Sequence, residues 1–300
     1  TTLRSEQNIM KLVSFMHQGG KNSRDKSYGI CTENGVIDLG TRIGARYPTI
    51  KSLLAGDALV EAAAYGQQQP DYALEDISYL PVIEDPNKII CVGMNYADKR
   101  LEFDEKNNEP TLFIRFADSQ TGHNGTLLKP EASAEFDYEG ELAVIIGKSC
   151  FHASAERALE YVGGYSCYMD GSVRDWQHTW YTAGKNWPQT GSFGPYLTTQ
   201  DEIVDPQALA IHTWLNGRMV QDDNTSNMVH KIAELISYIS TFTRLMPGDV
   251  IITGSPGGVG KKRVPPLFLR QGDRIEVEIE GLGRLSNTVS EARQVVEIPA

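Results

Sequence analysis

The chain has 300 residues, of which 40% are hydrophobic and 22% charged, a composition typical of a globular protein with a sizeable core. Its formal net charge of −11 disfavours a nucleic-acid partner, because its basic residues form only small clusters that could not neutralise a row of phosphates. No apolar run approaches the roughly 18–20 residues of a membrane span, so we expect no membrane partner. Four widely spaced cysteines without a CxxC pair favour reduced thiols and a cytoplasmic location.

The first part of the chain predicts a small N-terminal α+β domain over residues 10–75. Its strands are expected over residues 11–15, 27–31 and 36–38. Asn34-Gly35 between the last two can form the tight turn of a hairpin. Apolar residues at helical spacing predict a helix over residues 50–65. Residues 1–9 carry no apolar core, and we expect them to lie outside the fold.

An extended connector is predicted over residues 76–87, where Pro81 and Pro86 resist helix formation. Strand signals then dominate the catalytic domain expected over residues 88–300. Its strands are expected over residues 89–92, 142–146, 165–169, 250–252, 274–279 and 284–289, and its helices over 154–162 and 229–239. Short strands and glycine turns predict a mainly β architecture, closed or sandwiched. No glycine-rich dinucleotide or phosphate loop follows a strand.

Acidic residues alternate just before the apolar run 142–146. In a strand, Glu135, Asp137, Glu139 and Glu141 would share one face. Burying carboxylates without partners is costly or shifts their pKa values, and a bound cation would remove that cost. The alternative is an exposed edge with solvated acids.

Asp170 stands at the end of the predicted strand 165–169. Carboxylates from two strands, with no histidine at ligand spacing, predict an all-oxygen metal site. Such a site suits Mg²⁺ or Mn²⁺, with Ca²⁺ as a further candidate, and argues against zinc.

Five motifs occur in order between about Lys88 and Val289. They are Asn95-Tyr96-Ala97-Asp98, Asp137-Tyr138-Glu139-Gly140-Glu141-Leu142, Asp170-Gly171-Ser172-Val173-Arg174-Asp175-Trp176-Gln177, Asn216-Gly217 with Asn224-Thr225-Ser226, and Thr253-Gly254-Ser255-Pro256-Gly257-Gly258-Val259-Gly260. Each motif alone is modest, but together they resemble the fumarylacetoacetate hydrolase family.

This resemblance implies a mixed β-sandwich or β-roll catalytic domain beside the smaller N-terminal domain, usually in a homodimer. It also implies a divalent metal held by a Glu-x-Glu pair and a distant aspartate, which are Glu139, Glu141 and Asp170 here. The family's substrates are mostly 2-oxo acids, whose enolates a metal can stabilise.

The resemblance also assigns residues to the pocket. Arg174 and Gln177 would line it, and Lys185 matches a family lysine near the metal. Arg115 stands where many members carry a lysine and would contact the substrate. The turn Thr253-Gly254-Ser255 could hold a developing oxyanion. The alternatives are an Arg174 paired with a nearby acid, a surface lysine at Lys185 and a simple glycine turn.

One position departs from the family's pattern. Hydrolytic members often carry His-x-x-Glu, a dyad that activates water, whereas this chain has Lys99 before Glu102. A lysine with its ordinary pKa of about 10.4 is charged near pH 7 and is a poor base. Glu102 therefore acts alone, or Lys99 has a lowered pKa, or the enzyme does not activate water. The charged segment 99–110 predicts a mobile lid, with an ordinary surface loop as the alternative.

Three functions follow as hypotheses. The retained Glu102 favours a metal-dependent hydrolase that cleaves a C–C bond in a 2,4-dioxo acid such as an acylpyruvate or fumarylpyruvate. Lys99 favours instead a 2-oxo acid decarboxylase or a 2-hydroxydienoate isomerase. A non-catalytic small-molecule binder is the third, and the retention of all the implied metal ligands argues against it.

Overall fold

The computed structural model describes residues 9–17 and 26–292. The strands are β1 (Lys11–His17), β2 (Lys26–Thr32), β3 (Gly35–Asp38), β4 (Ile77–Tyr79), β5 (Ile89–Gly93), β6 (Thr111–Ile114), β7 (Gln120–Thr121), β8 (Thr126–Lys129), β9 (Phe136–Asp137), β10 (Gly140–Ile146), β11 (Val162–Asp170), β12 (Ser172–Val173), β13 (Gly191–Thr199), β14 (Ala210–Leu215), β15 (Arg218–Asn224), β16 (Val250–Ile252), β17 (Arg274–Ile279) and β18 (Gly283–Glu291). The α-helices are α1 (Gly40–Ile43), α2 (Ile50–Ala55), α3 (Leu59–Ala63), α4 (Ala97–Glu102), α5 (Thr182–Lys185) and α6 (Ile232–Phe242).

Two sheets form the body of the protein. The eleven-stranded sheet has the order β3-β2-β1-β13-β11-β10-β16-β5-β6, with β4 beside β1 and β7 beside β13. The five-stranded sheet has the order β15-β14-β17-β18-β8, and β9 and β12 pair separately. The larger sheet combines antiparallel pairs with the two parallel pairs β16–β5 and β13–β7. The predicted mainly β, sandwich-like fold is confirmed.

Strand β10 is buried on both faces, which explains its unbroken apolar run. Leu142, Val144 and Ile146 pack in the core shared with the five-stranded sheet. Ala143 and Ile145 pack on the other face in a second core, together with apolar residues of the N-terminal region. The acidic residues at its start are therefore held between two layers of packed side chains.

The N-terminal strands continue the large sheet. Strand β1 pairs with β13, with Leu12 opposite Leu197. The predicted hairpin joins β2 to β3, and Gly35 in its turn has a φ of 136°, which glycine adopts without strain. The domain boundaries at residues 10–75, 76–87 and 88–300 stay predictions.

Three helix predictions differ from the structure. The helix predicted over 50–65 is divided into α2 and α3, since Asp57 between them has a φ of 51°. The helix predicted over 154–162 is wrong: Ala158–Tyr161 forms a short 3₁₀ turn, and Val162 already pairs with Ile146 of β10. Helix α6 lies three residues further along the chain than predicted. No helix in the two described ranges is long and apolar enough to cross a membrane.

Candidate functional site

Glu139, Glu141 and Asp170 come together in the structure. One carboxylate oxygen from each lies within 4.8 Å of the other two. The antiparallel pairing of β10 with β11 places Gly140 opposite Met169, and this register brings Asp170 beside the start of β10. The Asp170 N–H donates to the Glu139 carbonyl oxygen at 2.8 Å. The three implied metal ligands thus meet because two strands pair in one register.

Gly140 lets the two sheets approach each other at this point. An added Cβ would meet Thr213 Oγ1 and both methyl groups of Val277, which belong to the five-stranded sheet. The glycine between the two glutamates is therefore a packing requirement as well as part of the motif.

The carboxylates fit a divalent metal. Burial raises the pKa of Glu141 well above its usual range, and the neighbouring Asp170 and Glu139 carboxylates raise it further. A cation would relieve this crowding of like charges. Since all three ligands are oxygens, the donor set suits Mg²⁺, Mn²⁺ or Ca²⁺.

Three cations surround Glu139. Arg174 Nη2 lies 2.6 Å and Lys185 Nζ 3.5 Å from Glu139 Oε1, while Lys99 Nζ lies 3.2 Å from Oε2. Burial alone would raise the pKa of Glu139, but Lys185, Lys99 and Arg174 outweigh it and hold that pKa well below its usual range. Glu139 is therefore held in its ionised, ligand-competent form.

Lys185 is buried on α5 rather than exposed at the surface. Its Nζ donates to Asp170 Oδ2 and to Ser172 Oγ, both at 2.6 Å. Burial lowers its pKa, but Asp170 and Glu139 raise it by more, so the net shift is upward. The lysine therefore keeps a positive charge beside the ligand carboxylates.

Lys99 and Glu102 both lie on α4, but their side chains contact different residues. Lys99 Nζ donates to Ser255 Oγ at 2.9 Å and pairs with Glu139. Burial lowers the pKa of Lys99, and Glu139 partly offsets that effect. Glu102 Oε1 accepts the Gly258 N–H at 2.7 Å, and its Oε2 is buried without a donor among the described residues.

Asp137 is a site residue whose partners sequence reasoning missed. The alternation predicts it on one strand face with Glu139, but β9 ends at Asp137 and β10 begins at Gly140. Its Oδ2 accepts Arg174 Nε–H at 2.9 Å and the Lys261 N–H at 3.0 Å. The pair fits the alternative expectation that Arg174 pairs with a nearby acid, although the sequence did not single out Asp137 as that acid.

Arg115 lies behind Asp170. Its Nη1 donates to Asp170 Oδ1 at 2.8 Å and to the Gly171 carbonyl at 3.0 Å, and its Nη2 donates to Thr190 Oγ1 at 2.9 Å. The side chain is fully buried. The predicted substrate contact of Arg115 stays a prediction, whereas its contact with Asp170 is direct.

The turn at Thr253-Gly254-Ser255 faces the ligand carboxylates. The Thr253 N–H and hydroxyl both donate to the Leu142 carbonyl, at 3.1 and 2.7 Å. The Gly254 N–H donates to Glu141 Oε2 at 2.7 Å, and Ser255 Oγ donates to Glu139 Oε2 at 3.2 Å. These contacts orient both glutamates, and the oxyanion role stays a prediction.

A cavity of about 240 Å³ opens beside Arg174. Its walls include the predicted substrate-binding residue Gln177, and also Met94, Phe103, Trp180 and Lys261. Gln177 Oε1 faces Arg174 Nη1 at 3.5 Å, and its Nε2 is buried with no acceptor among the described residues. The cavity therefore adjoins the carboxylate cluster through Arg174.

Comparison with known proteins decides the family. Residues 88–290 match the model of the fumarylacetoacetate (FAA) hydrolase C-terminal family. The oxaloacetate tautomerase FAHD2A, mitochondrial, of Homo sapiens is 39% identical over 297 residues, which cover 93% of this chain and 91% of that protein. This chain belongs to the fumarylacetoacetate hydrolase family.

Solved structures of the family show the same fold with different reactions. Maleylpyruvate hydrolase from Sphingobium sp. SYK-6, in complex with manganese(II) and pyruvate, has a TM-score of 0.77 and 28% identity, over 95% of this chain and 100% of that one. The 5-carboxymethyl-2-hydroxymuconate delta-isomerase from Mycobacterium smegmatis has a TM-score of 0.72 and 27% identity, over 94% of this chain and 100% of that one.

These relatives and the acidic cluster together support an enzyme of this family that binds a divalent metal. The homodimer stays a prediction. The cytoplasmic location also stays a prediction, since the human relative is named as mitochondrial.

Proposed function

We propose that this enzyme catalyses the keto–enol tautomerisation of a short 2-oxo dicarboxylic acid such as oxaloacetate. The observation that carries the proposal is the separation of Lys99 from Glu102. Lys99 pairs with Glu139 and Ser255, and Glu102 bonds to the Gly258 amide. The water-activating dyad implied for hydrolytic members is thus replaced, which favours a reaction that needs only proton transfer. The name of the human relative supports the same reaction.

Glu139, Glu141 and Asp170 would hold the divalent metal. When bound, Mg²⁺ or Mn²⁺ would act as a Lewis acid toward the substrate's 2-oxo group. Arg174 and Lys185, as cations beside the ligand carboxylates, would bind the carboxylate and the developing negative charge of the substrate.

We assign the proton transfer to Glu102. Its Oε2 is buried and accepts no hydrogen bond within residues 9–17 and 26–292, and the Gly258 N–H bond to Oε1 fixes the carboxylate. In the keto-to-enol direction, Oε2 removes a proton from C3 and the 2-oxygen takes one from solvent. The C3–H bond and the π bond of the 2-oxo group break while a C2=C3 double bond and an O–H bond form. No C–C bond is cleaved, so water has no part as a nucleophile.

The test is the decay of enol oxaloacetate, followed by its ultraviolet absorbance with Mg²⁺ or Mn²⁺ and again with excess EDTA. We expect a rate well above the spontaneous one, lost with EDTA, while pyruvate formation stays at background. Pyruvate released at the rate of substrate loss would indicate a decarboxylase instead. A rate equal to the spontaneous one with either metal would refute the proposal.

Hydrolysis of a 2,4-dioxo acid is the second candidate function. The Oε2 of Glu102 favours it, since this buried atom accepts no hydrogen bond among the described residues and could equally position a water molecule. The solved maleylpyruvate hydrolase adds support as a structural relative.

Lys99→His should discriminate the two functions. With acetylpyruvate we expect the wild type to form acetate only at the spontaneous rate and the variant to form it at least about tenfold faster, because a positioned histidine supplies general-base catalysis. Lys99→Met removes the ammonium without adding a base and serves as the control. Proton NMR identifies the products. Acetate and pyruvate formed by the wild type would instead favour the hydrolase.

A further inference from the structure

We infer that Lys261 binds the distal carboxylate of the substrate and so selects dicarboxylic over monocarboxylic 2-oxo acids. The inference rests on the proposed function, because it takes the 2-oxo end of the substrate to lie at the carboxylate cluster. It concerns the other end, in the cavity of about 240 Å³ beside Arg174.

The charge of the cavity points to an anion. Arg174 and Lys261 line it, and none of its described lining residues is acidic. This is unusual in a chain whose formal net charge is −11. Gln177 adds a buried Nε2 donor with no acceptor among the described residues. A group with several acceptor oxygens and a negative charge matches these donors.

Asp137 holds the Arg174 guanidinium next to the backbone of Lys261. One atom, Asp137 Oδ2, accepts both Arg174 Nε–H and the Lys261 backbone N–H, at 2.9 and 3.0 Å. Arg174 also reaches the implied metal ligand Glu139, at 2.6 Å. The order from the metal ligands outward is therefore Glu139, Arg174 and Lys261. A substrate with its 2-oxo end at the ligands would extend its far end toward Lys261.

The ammonium of Lys261 has a partner that a substrate could displace. Its Nζ lies 3.1 Å from Glu135 Oε2, and the two side chains are 41% and 35% exposed. Ion pairs this exposed contribute little, so exchange of Glu135 for a substrate carboxylate is inexpensive. The neighbouring Lys262 differs, since its Nζ lies 4.5 Å from the centre of the Phe103 ring and is not part of the cavity lining.

The experiment compares Lys261→Met, Lys262→Met and Glu135→Gln on oxaloacetate and on its 4-ethyl ester, which lacks the distal charge. For Lys261→Met we expect the KM for oxaloacetate to rise about fivefold to tenfold, with kcat within about twofold and the ester unaffected. Lys262→Met removes the same charge from the next residue, and we expect it to change the KM and kcat for oxaloacetate by less than about twofold. If both lysine variants raise the KM for oxaloacetate equally, Lys261 acts only by long-range electrostatic attraction. That result would overturn the inference.

Glu135→Gln separates substrate binding from a structural ion pair. If Lys261 binds the substrate, freeing it from Glu135 should lower the KM for oxaloacetate or leave it unchanged. If the ion pair with Glu135 only holds the Lys261 backbone in place, Glu135→Gln and Lys261→Met should raise the KM for oxaloacetate to the same degree. That result would overturn the inference.

Binding without turnover keeps the two proposals apart. The dianion 3,3-difluorooxaloacetate has no C3 proton to lose, and calorimetry with Mg²⁺ gives its dissociation constant. We expect Lys261→Met to weaken binding about fivefold to tenfold and Lys262→Met to leave it unchanged. Selective binding by an enzyme that does not tautomerise oxaloacetate would refute the proposed function alone. Tautomerisation with no loss of dianion binding in Lys261→Met would refute the inference alone.

Discussion

Glu139→Gln is expected to lower the metal-dependent rate at least about a hundredfold and to weaken Mn²⁺ binding to a similar degree. The substitution removes one of three carboxylates that share the candidate metal site. It also leaves Lys99 and Arg174 without the charge they pair with at 3.2 and 2.6 Å. Calorimetric titration with Mn²⁺ and initial rates with oxaloacetate measure the two losses.

Glu131→Gln is the matched control for this prediction. It makes the same chemical change at an exposed position eight residues earlier in the chain, outside the acidic cluster. We expect its Mn²⁺ affinity and rate to equal those of the wild type. A Glu139→Gln enzyme that keeps both would remove Glu139 from the metal site.

Arg115→Met is expected to lower the free energy of unfolding by about 3–5 kcal/mol. Arg115 and Asp170 form an ion pair at 2.8 Å in which both side chains are 0% exposed. The variant leaves a buried carboxylate without that partner, and the Gly171 carbonyl and Thr190 hydroxyl lose a donor. Urea-induced unfolding, followed by circular dichroism, measures the change.

Two further variants make this result specific. Arg115→Lys keeps the charge but not the fork of donors, so we expect an intermediate loss of stability. Arg157→Met breaks an ion pair with Glu160 in which the two side chains are 67% and 57% exposed, and it should leave the free energy of unfolding at the wild-type value. A similar loss in the Arg115→Met and Arg157→Met variants would contradict the buried role.

The strands near the site were predictable because local patterns encode them. The alternating Ile275, Val277 and Ile279 lie in β17, and the apolar run 142–146 lies in β10. The helix predicted over 154–162 failed for a tertiary reason. Its last residue, Val162, pairs with β10, so a long-range sheet contact overrides the local helical signal.

The sequence by itself determined the residue types of the site. Carboxylates on two strands predict an all-oxygen metal site, and the family resemblance of the sequence implies Glu139, Glu141 and Asp170 as its ligands. The structure brings these three residues together. The sequence likewise places Lys99 where hydrolytic family members often carry a histidine, and this favours a reaction without water activation.

Only the tertiary structure decided which partner each charged group takes. Lys99 pairs with Glu139 rather than with Glu102, three residues away, and Arg174 pairs with Asp137 and Glu139. Arg115 meets Asp170 across 55 residues of chain. Several acids and bases of similar chemistry are present, so residue type alone cannot choose among the pairings. Strand register and the approach of the two sheets select them, and no local periodicity records those long-range distances.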